Sequence, residues 1–156
     1  MPDWFLVAAA GALHFPDNGA WKIGGAVSVY MAGMWSIPLL WVLASCSTGT
    51  TSAPDLTQLL RAAAAAVLVF GAAEQLSVPL RLWSKTSIVK HTAGHVALYV
   101  LPAEAVLGAA TLLACRVTAG GAGWGAAARR LLAAAVVAIM YTGALAVSYL
   151  FVEVIT

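Results

Sequence analysis

Four long apolar runs dominate the chain, separated by short polar breaks. They cover residues 24–45, 59–80, 92–115 and 131–152. Each is long enough for a hydrocarbon core, which takes about 20 apolar residues in a helix. Backbone polar groups in lipid must be satisfied within the protein, and these runs are too long for barrel strands. The pattern therefore predicts four transmembrane helices. A fifth apolar piece, residues 3–15, is too short to span and ends in Pro16-Asp17-Asn18-Gly19. It is predicted to be an interfacial or re-entrant segment, with Trp4 and Trp21 anchored at headgroup depth.

Breakers place the connections. Ser47 to Pro54 is a Ser/Thr/Gly loop, and Asp55 is suited to cap the helix that follows. Arg81 to Lys90 is a short basic turn containing Trp83, and Thr118 to Gly125 is a Gly/Ala loop with Trp124. No internal repeat stands out. The expected fold is an all-α integral membrane protein, a single domain over residues 1–156. It is a four-transmembrane-helix bundle with a short N-terminal interfacial or re-entrant segment.

Composition agrees with this pattern. Of 156 residues, 62% are hydrophobic and 9% charged, against about 25% charged in a soluble domain. A soluble protein this short could not hide so much apolar surface. A net charge of +2 gives no reason to expect a nucleic-acid partner. The basic residues lie outside or at the margins of the apolar runs. In a four-span topology they divide evenly: Lys22, Arg81, Lys85 and Lys90 on one side, Arg61, Arg116, Arg129 and Arg130 on the other. Weighting the compact 81–90 turn puts both termini in the cytoplasm. The start Met1-Pro2-Asp3 lacks the positive charge of a signal peptide. Cys46 and Cys115 have no metal-ligand or CxxC spacing and read as small apolar side chains.

Acids inside spans carry the most information, because an ionisable group near the bilayer centre costs at least about 2.5–3.5 kcal/mol and usually faces the bundle interior. Glu74 and Glu104 qualify, whereas Glu153 falls at the end of the fourth run and reads as interfacial. A carboxyl group in an apolar pocket can serve as a general acid or as half of an acid/base pair. The plainer alternative pairs Glu74 with Arg61, Arg81 or Arg116. Pro38, Pro79 and Pro102 are expected to kink three spans and free the carbonyls of Met34, Gln75 and Leu98, with a cavity beside the acids.

His91 and His95 have i, i+4 spacing, which on a helix puts both imidazoles on one face. A metal would need a third ligand. Glu104 lies nine residues on from His95 and points to the opposite side of a straight helix, about 13 Å further along its axis. The pair is therefore expected to position a substrate head group or face lipid head groups, with neither metal nor cofactor assigned. Aromatic residues Tyr30 and Trp35 in the first span, and Tyr141 and Tyr149 on one face of the fourth, are candidate walls for a substrate. Such walls stabilise cations through the ring face.

The third span reads Leu101-Pro102-Ala103-Glu104-Ala105-Val106-Leu107. This resembles the Pro-x-Glu-Glu segment of small integral-membrane lycopene cyclases, which close carotenoid rings by acid chemistry in the membrane. The likeness covers fewer than ten residues, and Ala105 stands where that family has its second acid. It implies the role of first acid for Glu104 and transfers nothing else.

Walker, GxGxxG, HExxH, nucleophile-elbow and CxxC signatures are absent, which disfavours ATP-dependent, dinucleotide and thiol–disulfide chemistry. The expected function is a small membrane-embedded enzyme acting by acid/base chemistry on a hydrophobic, isoprenoid or lipid-like substrate, of the terpene or carotenoid cyclase or isomerase type. Its surroundings are membrane lipids. The alternatives are a non-catalytic subunit or assembly factor, which would form a homo-oligomer or join a partner membrane subunit through its Ala/Gly-rich spans, and a small transporter.

Overall fold

The computed structural model describes residues 2–46, 53–120 and 122–155. The Ser47–Pro54 loop foreseen from sequence falls largely outside them. Helix α4 (Leu56–Ser77) opens on Asp55, whose carboxylate accepts the Gln58 N–H at 2.7 Å while the Gln58 side chain accepts the Asp55 N–H at 3.3 Å. This reciprocal cap satisfies two otherwise orphaned donors. An alanine run carries the helix onward, and it ends before Pro79, which cannot continue it. Helix α5 covers Val100–Val117. Helix α6 covers Trp124–Tyr149 and widens into a π-helical end at Leu150–Ile155.

These three helices are long and apolar enough to cross a membrane, with mean hydropathies of 1.7, 1.6 and 2.1. Their outer faces, including Leu68, Leu131, Ile139 and Val147, are exposed, as suits a lipid solvent. Between helices, close backbone approach matters more than apolar burial in lipid. Gly108 supplies it, for a methyl group there would overlap the Ala62 carbonyl oxygen and the Ala66 methyl on α4.

The first and third apolar runs depart from expectation. In the first, Lys22–Ile23 (β2) and Val27–Ser28 (β3) form a hairpin, followed by α2 (Met31–Met34), a turn at Trp35, and α3 (Ser36–Cys46). With 11 residues α3 is too short to span alone. In the third, Thr92–Ala93 (β5) and Val96–Ala97 (β6) form a second hairpin, and the helix begins only at Val100. Left-handed glycines cause both departures. Gly24 (φ 59°) and Gly25 (φ 71°) turn the first hairpin, and Gly94 (φ 63°) turns the second. Nor do the prolines kink helix interiors. Pro38 and Pro102 occupy first turns, where the missing N–H is no loss, and Pro79 follows a helix end.

The N-terminal segment is folded into the protein. Pro2–Trp4 (α1) runs into a π-helical turn at Phe5–Ala9, then Leu13–His14 (β1) pairs antiparallel with Ser84–Lys85 (β4). Thr86 fastens this junction, its N–H donating to the Ala12 carbonyl at 3.0 Å and its hydroxyl to the Gly11 carbonyl at 2.7 Å. Phe15, Val27, Met31 and Trp83 form a small core beneath it.

The two halves repeat each other. Gly25-Ala26-Val27-Ser28-Val29-Tyr30 and Gly94-His95-Val96-Ala97-Leu98-Tyr99 match at a shift of 69 in the numbering. Each is the far strand of a hairpin leading into a helix, and each hairpin is preceded by one strand of the β1–β4 pair. β1 and β4, the strands that precede the two hairpins, pair antiparallel with each other. The side-chain similarity is confined to a few positions, which hides it in the linear sequence.

Candidate functional site

Glu74 sits three residues from the end of α4, and its carboxylate accepts the indole N–H of Trp83 at 3.1 Å. Its partner is therefore an indole rather than one of the arginines proposed from sequence. Glu74 lines a cavity of about 20 Å³ with Asp3, Trp35, Trp83, Lys85, Tyr99 and Tyr141. That is room for one water molecule. Asp3 was passed over in the sequence, where it is a lone acid beside the N-terminus. The fold carries it inward on α1, where burial raises its carboxyl to about 6. Asp3 and Glu74 each lie ten residues before the first residue of a strand of the β1–β4 pair.

Asp3, Met31, Trp35 and Tyr141 also line a second, larger cavity of about 700 Å³. It is an open cleft between α3 and α6 with α5 as its floor. Leu39, Leu107, Ala134, Val137 and Ala138 make it apolar along most of its length, and Arg130 and Thr118 stand at the end away from Asp3. The Trp35 ring lies 4.8 Å from Phe70 and 5.9 Å from Tyr141, centroid to centroid, so it is wedged between α4 and α6.

Glu104 is fully buried on α5, and both its carboxyl oxygens lack a hydrogen-bond partner among the described residues. It is not among the lining residues of either cavity, so Asp3 rather than Glu104 shares the cavity wall with Glu74.

Trp35 and Tyr141 are the candidate aromatics that reach the cleft. Tyr149 packs edge-on against Tyr99, with centroids 5.2 Å apart. Tyr30 donates its hydroxyl to the Leu82 carbonyl at 2.6 Å and so ties the repeats together. His91 and His95 do not share a helical face, because residues 92–97 are a hairpin. The backbone N–H groups of Lys90 and His91 donate to buried Glu153 at 2.7 and 3.2 Å, and His91 Nδ1 lies 3.6 Å from the same carboxylate. Expected at the interface, Glu153 instead clamps the loop. His95 is exposed, its N–H donating to Gln75 at 3.0 Å. Cys46 is buried, whereas Cys115 is exposed and free beside the Arg130 end of the cleft.

No curated protein and no solved structure matches the chain. A family match does run from residue 1 to residue 152, so it takes in Asp3, Glu74, Glu104 and every element that builds the cleft. The chain belongs to the DUF6989 family, a domain of unknown function.

Proposed function

We propose that this protein is a membrane-embedded enzyme that rearranges a hydrophobic, isoprenoid or lipid-like substrate by acid/base chemistry, as a cyclase or isomerase does. The observation that carries this reading is the meeting of Asp3 and Glu74 with Trp35 and Tyr141 on the wall of the small cavity, which shares Asp3, Trp35 and Tyr141 with the 700 Å³ apolar cleft. Its size falls within the range of about 300–1,000 Å³ in which proteins engulf small molecules.

In this reading one carboxyl group delivers a proton to a double bond or epoxide at the buried end of the substrate. The faces of Trp35 and Tyr141 stabilise the cation that forms. A second carboxylate removes a proton from a neighbouring carbon, so that a ring or a shifted double bond results and the protein's protons are restored in number. Asp3 and Glu74 are placed for these roles. The Trp83 hydrogen bond to Glu74, in place of an arginine ion pair, favours this reading over a purely structural subunit.

The test is lipid-extract mass spectrometry on cells expressing the wild type or the Asp3→Asn, Glu74→Gln or Glu104→Gln variant, each checked for accumulation in membranes. A species altered by the wild type and restored by Asp3→Asn and Glu74→Gln is the expected result. Conversion that survives both substitutions would overturn the assignment.

A further inference from the structure

The cleft has a polarity of its own. Asp3 and Arg130 are the charged side chains on its wall, and they stand toward opposite ends. Arg130 is eleven residues before Tyr141 on α6, which at about 1.5 Å per residue separates them by roughly 16 Å along the axis. Between them the α6 wall is small and apolar, with Ala134 and Ala138 leaving the width open. Arg130 itself is exposed, so its guanidinium is accessible at the mouth. On the α5 side Thr111 lines the cleft between Leu107 and Cys115.

We infer that the cleft binds a single-chain anionic amphiphile lengthwise, with its phosphate or carboxylate head at Arg130 and its apolar end at Asp3, Trp35 and Tyr141. An arginine fork matches either head group by paired N–H donors. This deepens the proposed function by naming the substrate class. It rests on that reading only for the reacting end, since binding itself needs no turnover.

Cys115 provides a readout at the head-group end, because it is exposed there while Cys46 is buried. The detergent-solubilised protein would be alkylated with N-ethylmaleimide, and modification followed by intact mass, with farnesyl monophosphate, farnesol or a diacyl phosphatidylglycerol added. The phosphate is expected to protect Cys115 at a concentration roughly 10-fold lower than farnesol does, the contribution of a charge-assisted pair. Arg130→Gln should abolish that difference and leave farnesol unchanged. Ala134→Trp, or Ala134→Phe if the larger ring prevents folding, should remove protection by both. Equal protection by the two C15 probes, or a phosphate preference that survives Arg130→Gln, would overturn the head-group assignment. Protection by the diacyl lipid equal to that by farnesyl monophosphate would overturn the single-chain assignment. Asp3→Asn should still be protected by farnesyl monophosphate, so a failure of catalysis is distinguishable from a failure of binding.

Discussion

Asp3 and Glu74 occupy equivalent places ahead of the two strands that pair across the repeat, and they line one cavity with room for a single water molecule. The two acids lie 71 residues apart in the chain, so folding and not sequence proximity brings them to one cavity. Their different surroundings, Trp35 beside Asp3 and Trp83 beside Glu74, make two similar groups chemically distinct.

The hydrogen bond from Trp83 to Glu74 should be visible in stability. Trp83→Phe removes the donor and leaves a buried oxygen unmatched, which costs about 1–3 kcal/mol. Unfolding in detergent should show this loss. Adding Glu74→Gln should give less than the sum of the two single effects, because the pair shares one interaction. Strict additivity would mean that the bond contributes nothing.

Gly108 gives a packing test. Gly108→Ala should destabilise the protein by about 1–3 kcal/mol, because α4 and α5 must separate to admit the methyl group. Gly143→Ala, where the added Cβ meets nothing within 4 Å, is the matched control and should be neutral or slightly stabilising. Thermal melts of the two variants side by side decide the matter.

Asp3 predicts a pH dependence. Its carboxyl is raised from about 3.8 to about 6 by burial, so the folded state binds its proton more tightly than the unfolded state does. The resulting stabilisation is complete below pH 4 and is lost as the pH rises through 6. Melting temperatures measured from pH 4 to pH 7 should therefore fall, and Asp3→Asn should flatten that part of the profile. An unchanged slope in the variant would assign the titration to another group.

Glu153 should govern access to the 90–91 loop. Glu153→Ala strands the Lys90 and His91 N–H groups and frees the loop from α6. Trypsin cleavage after Lys90 in the detergent-solubilised protein should accelerate about 10-fold, as expected for a local opening made easier by roughly 1.4 kcal/mol. Glu153→Gln retains acceptor capacity through one oxygen and should lie between the two.

The runs at 59–80 and 131–152 overlap most of α4 and α6 because length and hydropathy suffice to find an uninterrupted helix. Asp55 was legible as a cap because the chemistry is local. The runs at 24–45 and 92–115 misled in their opening residues because Val27, Ser28, Val96 and Ala97 are as compatible with a buried helix as with a short strand. Only the left-handed conformations of Gly24, Gly25 and Gly94 distinguish the two. Glu74 and Glu104 announced themselves by being charged in apolar surroundings. Asp3 did not, since Trp35, Glu74 and Tyr141, which surround it, are far away in the chain. The G-x-V-x-x-Y match of residues 25–30 and 94–99 was the one linear signal of the repeat.

The cleft between α3 and α6 is open rather than sealed, and its floor on α5 and its α6 wall belong to membrane-length helices. A ligand can therefore arrive by lateral diffusion in the bilayer without passing through water. The quantity that sets occupancy is then its mole fraction in the membrane or micelle, not its concentration in the sample volume. Saturation curves should collapse onto one another when detergent and substrate are increased together, and dilution with buffer alone should leave the rate per protein unchanged.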